Sequence, residues 1–159
     1  MEKITAGRKA PDFALPTDRG EIFRLSEHKG APVVLYFYPE DDSGGCTIEN
    51  IEFSEVMPEF ARLGVKVVGI SPDSVEKHGK FRDKYKLGIP LVADPDRKAI
   101  EAYGLWGEKV TFGHHLIGLH RTTVLVDKAG KVAEVFAVRR IKGHAAIVLA
   151  ASRALVGAK

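Results

Sequence analysis

A chain of 159 residues with 45% apolar side chains can bury one sizeable core and is too short to need two. Its 24 basic and 21 acidic residues leave a net charge of +3, too small a balance to indicate nucleic acid or an anionic membrane as partner. A single cysteine excludes an internal disulfide and a zinc site built from several thiolates; the first residues lack the apolar core of a secretory signal, and the longest apolar run, Val33 to Tyr38, cannot span a bilayer, so the expectation is one domain over residues 1–159 in the cytoplasm.

Read in chain order, residues 21–30 predict a short strand and turn, with Glu21, Phe23 and Leu25 on one side. Ala31 to Pro39 is a continuous, β-rich apolar run, the pattern of a central strand buried on both faces. The acidic residues and paired glycines of 40–45 break it. A helix is expected from about Cys46 to Leu63, with Ile48, Ile51, Val56 and Phe60 among its apolar positions, and Pro58 is expected to kink or interrupt it. Val65 to Ser74 predicts a second buried strand, stopped at Pro72, with Asp73 or Ser74 capping a helix over 75–88. A short strand and turn over 89–96 and a short helix over 97–105 follow. Trp106 to Leu119 has little regular pattern and reads as a surface loop or short strand. Residues 121–138 form the clearest hairpin, with Gly130 in its turn, and Gly143 to Val156 carries the apolar stripe of a helix laid on the sheet. The alternation predicts a three-layer α/β sandwich with a central mixed sheet, for which a thioredoxin-like arrangement is one solution.

The lone cysteine is the chemical question. With a strand ending at 39 and a helix opening near 45, Cys46 falls in the first turn of that helix, at the carboxyl edge of the sheet where ligand sites of α/β folds gather. First-turn amides and the helix dipole favour an anion, hence thiolate over thiol. Composition leaves open a buried inert thiol, an intermolecular bridge or a reactive nucleophile. The neighbours favour the last, since Cys46 follows Ser43, Gly44 and Gly45, small residues that let a ligand approach, rather than sitting inside an apolar run. His114, His115 and His120 cluster, but nothing nearby completes a metal-ligand pattern. His120 reads as a polar surface residue, and His78 and His144, at helix starts, as solvent-facing. Arg139 to Lys142 lacks the interleaved aromatics of a nucleic-acid patch. Tyr103 and Trp106 fit either a pocket rim or the core.

Pro39, Ser43 and Cys46 fit the pattern P-x-x-x-T/S-x-x-C, and the segment "LYFYPEDDSGGCTIE", with "VVGISPDSVEKHGKF", "LVADPDRKAIEAYGL" and "HRTTVLVDKAGKV" in the same order, resembles the peroxiredoxins of the bacterioferritin comigratory protein (PrxQ) branch over nearly the whole chain. The resemblance implies a thioredoxin-like domain with an N-terminal extension and thiol-dependent reduction of hydrogen peroxide and organic hydroperoxides. It implies that Cys46 attacks the near peroxide oxygen and becomes a sulfenic acid, that Ser43 accepts from the thiol or donates to the peroxide, that Arg121 steadies thiolate and leaving oxygen, and that Pro39 shields the thiolate from water. The amides of Gly45 and Cys46 add donors. Glu49 is set outside the catalytic group, as a partner for an arginine or a solvated helix residue. Two departures stand out. Gly44 replaces a usual proline, and Ile51 occupies the position, five residues after Cys46, where a resolving cysteine commonly lies. The expected enzyme is therefore a one-cysteine peroxidase without cofactor or metal, reduced by an external thiol such as a thioredoxin, a glutaredoxin or a small thiol, and monomeric. The alternative is a redox-responsive binding protein that uses Cys46 oxidation as a switch; the missing C-x-x-C argues against a disulfide reductase.

Overall fold

Ahead of the central strand, β1 (Ala14–Pro16) and β2 (Ile22–Arg24) form a small antiparallel ladder with Leu15 opposite Phe23, followed by a 3-10 turn over Leu25–His28. The computed structural model describes residues 3–157 except 112. Strand β3 (Val33–Phe37) is buried at all five positions, and Tyr38 adds one more bond by donating its amide to the Ile70 carbonyl at 3.0 Å. After the loop 39–43 comes α1 (Gly44–Arg62), then β4 (Lys66–Ser71), parallel to β3, and α2 (Val75–Tyr85), whose N-cap Ser74 accepts from the Lys77 amide at 3.2 Å. Strand β5 (Leu91–Ala93) runs parallel to β4, and α3 (Lys98–Ala102) follows. Strands β6 (Trp106–Thr111) and β7 (His114–Leu119) pair with each other; β8 (Thr122–Val126) and β9 (Val132–Ala137) are antiparallel additions to the main sheet, and α4 (His144–Gly157) ends the chain's described part.

The main sheet has the order β5-β4-β3-β8-β9 and is mixed, as expected. Period-2 alternation along β3 sends Val34 and Tyr36 to one core, with Phe53 and Phe60 of α1, Phe81 of α2 and Val148 of α4. Val33, Leu35 and Phe37 go to the other, with Ile100 and Tyr103 near α3 and with Phe13 and Phe23 of the N-terminal extension. The sheet is thus the middle of three layers. No helix among the described residues is long and apolar enough to cross a membrane.

Three expectations are corrected. Helix α1 runs uninterrupted through Pro58, because Phe53 and Phe60, both fully buried, anchor it on either side of the missing amide bond. Residues 106–119 are a paired hairpin turned at Gly113 (φ 78°), with Val110, Leu116 and Ile117 exposed, so the buried face that gives a strand its alternating pattern is largely absent. His78 and His144 are buried rather than solvent-facing, His78 bonded to Asp41 and His144 to Thr123 at 2.8 Å.

Candidate active site at the carboxyl end of the central strand

The loop 39–43 and the first turn of α1 carry the site. Ser43 is the N-cap, with extended backbone, and its carbonyl accepts from the Thr47 amide at 2.8 Å. Cys46 follows within the first turn, where backbone amides have no intrahelical acceptor, and is fully buried. Arg121, just before β8, reaches it from the strand next to β3: Nη2 lies 3.2 Å from the Cys46 Sγ, while Nη1 donates to the Glu49 Oε1 at 2.6 Å. One guanidinium therefore holds sulfur and carboxylate in a fixed fork. Burial pushes the Glu49 carboxyl up to about 7 against the opposing pull of Arg121. Its second oxygen, Oε2, has no hydrogen-bond partner among the described residues.

A second set of bonds fixes the backbone under the sulfur. Asn50 donates from Nδ2 to the Cys46 carbonyl at 2.9 Å and accepts from the Tyr36 hydroxyl at 2.6 Å, tying α1 to β3. The Tyr36 ring stacks on Phe53, with centroids 4.3 Å apart, and covers Gly69, where an added Cβ would meet ring atoms at 2.7 to 2.9 Å. The loop is pinned from below. The Tyr38 hydroxyl donates to the Asp41 Oδ1 at 2.6 Å, Asp41 Oδ2 lies 2.6 Å from the His78 Nδ1, and the His78 Nε2 donates to the Val92 carbonyl at 3.0 Å. The Asp41 amide donates to the Asp73 Oδ2 at 2.7 Å. Asp41, Asp73 and His78 offer ligand atoms within 4.8 Å of one another, but each is already bonded to protein groups, including Lys77 on the Asp73 Oδ1 at 2.8 Å. The cluster has the chemistry of a structural clasp.

Of the residues singled out from the sequence, Cys46 and Arg121 are in contact and Pro39 shares a cleft with Arg121. Ser43 is half-buried, and its hydroxyl donates to the Glu40 carbonyl at 3.1 Å and not to the sulfur. Gly44 has open space where a side chain would point, so the departure from proline meets no obstruction. At Gly45 an added Cβ would lie 2.6 Å from the Ile141 Cδ1 and 3.5 Å from the Arg121 Nη2. His114 and His115 stand exposed on β7, His115 paired with Glu108 at 2.8 Å; His120 lines the cleft. Sequence reasoning missed Asn50, Asp41 and His78 and set Glu49 aside. The available signal was spacing: Glu49 and Asn50 lie three and four residues after Cys46, on the same helix face.

A sequence profile of the AhpC/TSA family matches residues 6–135. The chain is 42% identical over 146 residues to peroxiredoxin Bcp of Bacillus subtilis, covering 92% of this chain and 93% of that protein. It is 38% identical over 149 residues to peroxiredoxin Bcp of Escherichia coli K12, with 94% and 96% covered. Among solved structures, the bacterioferritin comigratory protein of Xanthomonas campestris, studied for alkyl peroxide reduction, matches with a TM-score of 0.88 at 35% identity over 95% of this chain and 99% of that one.

Proposed function

The chain belongs to the AhpC/TSA family, in its Bcp/PrxQ peroxiredoxin branch with the thioredoxin-like fold, and from that premise we propose how its one cysteine works. It is a thiol-dependent peroxidase. The Cys46 thiolate attacks the nearer oxygen of hydrogen peroxide or an organic hydroperoxide, the O–O bond breaks, and the leaving oxygen takes up a proton and departs as water or alcohol while Cys46 becomes a sulfenic acid. Arg121 offers N–H donors to the sulfur and to the charge that develops on the departing oxygen. Pro39 keeps water from the thiolate, and Ser43 holds the loop through Glu40 while its hydroxyl oxygen keeps the capacity to accept a hydrogen bond. The observation that supports this reading most is the 3.2 Å approach of the Arg121 Nη2 to a fully buried sulfur, with Glu49 fixing the same guanidinium from behind.

Cys46 is the sole cysteine, so an external thiol must resolve the sulfenic acid through a mixed disulfide. A monomer in the reducing cytoplasm, drawing on a redoxin or a small thiol, fits that requirement. Intact-mass analysis after one equivalent of peroxide is expected to show a single added oxygen at Cys46, and peroxide consumption with excess dithiol is expected to continue for many turnovers and to vanish in Cys46→Ser. Equal rates for parent and Cys46→Ser refute the assignment; one stoichiometric oxidation without turnover identifies a redox switch instead.

A further inference from the structure

The missing inner thiol turns attention to how a reductant reaches Cys46. A cleft of about 260 Å³ opens between the β6–β7 hairpin and the ends of β8 and β9; Pro39 and Arg121 line it, and Arg121 links it to the sulfur, which lies 3.2 Å from its Nη2. Its walls carry Lys3, Lys109, His120 and Arg121, with Leu119 among the apolar surfaces, and among the described residues no carboxylate lines it. Lys109 is half-buried, its ammonium anchored at 3.0 Å on the Leu119 carbonyl, which leaves donors over for a ligand. Burial, with Lys3 and Lys109 nearby, holds His120 below its usual value.

Taking the one-cysteine peroxidase reading as given, we propose that this cleft admits the reductant and selects a small thiol that carries a carboxylate. The volume falls just under the roughly 300 Å³ at which small-molecule sites begin, enough for a small thiol and far too little for a folded partner. The sulfur has no exposed surface and Ile141 closes over Gly45 beside it, so any reductant must displace this cover, and a small thiol needs the smaller displacement. A small anionic thiol gains twice from the cations: its carboxylate is held by Lys3 and Lys109, and its sulfur is favoured as thiolate, the attacking form. The thiolate attacks the Cys46 sulfenic sulfur, an S–S bond forms, the S–O bond breaks and the oxygen leaves as water after taking a proton. A second thiolate of the same kind attacks the sulfur of the first, releasing the Cys46 thiolate and a disulfide of the small thiol. Two thiols lose one electron each, balancing the two-electron reduction of the peroxide.

The test compares 3-mercaptopropionate, 2-mercaptoethanol and cysteamine as reductants with hydrogen peroxide in excess, rates being expressed per thiolate. Mercaptopropionate is expected to give a kcat/KM at least about tenfold above cysteamine, the lower end of what a charged cleft does to association, with the gap closing as salt rises. The double variant Lys3→Gln, Lys109→Gln is expected to bring the three thiols within about twofold of one another by the same charge argument. Equal reactivity of the three in the parent, or an unchanged preference in the variant, overturns the proposal. So does a variant that slows Cys46 oxidation by a carboxylate-bearing hydroperoxide while keeping its thiol preference, since the cleft then serves the peroxide. A chain whose Cys46 is not oxidised by hydrogen peroxide fails on the peroxidase reading itself, before this comparison begins.

Discussion

Replacing Arg121 with lysine keeps a positive charge at the site and removes the fork. In the parent, one rigid group places Nη1 2.6 Å from Glu49 and Nη2 3.2 Å from the Cys46 sulfur. An ammonium on a flexible stem can hold one of these partners well, and the buried carboxylate, 1% exposed, is the one that costs more to abandon. The sulfur then loses a hydrogen bond to a charged donor, an interaction of about 1.5–3 kcal/mol. At about 1.4 kcal/mol per tenfold in rate, the second-order constant for Cys46 oxidation is expected to fall by about 10- to 150-fold. Stopped-flow mixing with hydrogen peroxide, quenched by alkylation and read by intact mass, isolates this half-reaction from reductant binding. Circular dichroism confirms that the variant is folded. A folded Arg121→Lys protein that oxidises within about twofold of the parent refutes the claim that the fork on the sulfur supplies this energy.

Three further outcomes follow from the geometry. Glu49 takes its proton at about 7 in the folded chain against the usual 4.5, so its contribution to stability is complete below about 4.5 and is lost as pH rises through about 7; Glu49→Gln is expected to flatten the fall in Tm between pH 5 and 8, and parallel profiles for the two proteins would contradict this. Gly69→Ala drives a Cβ to 2.7 Å from the Tyr36 ring, which Asn50 holds in place, so a loss of about 1–3 kcal/mol and of several degrees in Tm is expected by thermal denaturation; an unchanged Tm means the ring can move. Ser43→Ala frees the loop from the Glu40 carbonyl and is expected to lower the peroxide rate, whereas Ser43→Thr, which keeps the hydroxyl and restricts its rotation, holds or raises it; equal rates for alanine and parent remove the hydroxyl from the chemistry.

What could be read in advance follows from where each residue's partners lie. The run at 33–38 announces a central strand because both of its faces are covered, and the glycines after it announce the helix start, since both signals are local. Cys46 could be placed at that start for the same reason. The β6–β7 hairpin was hidden because Val110 and Ile117 face solvent and break the alternation that marks a half-buried strand. His78 could not be read as buried from its own segment, since the groups that satisfy it, Asp41 and the Val92 carbonyl, come from 37 and 14 residues away. Glu49 was legible as an arginine's partner and illegible as a carboxyl near neutrality, because its shift depends on a burial that only the assembled layers create.

The Asn50 bridge between the Cys46 carbonyl and Tyr36 also bears on the proposed cycle, because it secures the first turn of the helix that carries the sulfur. Two positions five apart on a helix are separated by about 7.5 Å of rise, beyond the roughly 7 Å over which a disulfide closes, so a cysteine in place of Ile51 could meet Cys46 only by unravelling the turn that Asn50 secures. With isoleucine there, nothing in the cycle asks the helix to come apart. On the proposed one-cysteine cycle, the oxidised sulfur is resolved by an external thiol while this helix turn stays closed. Amide hydrogen exchange at residues 46–51 should accordingly be as slow in the sulfenic form as in the thiol.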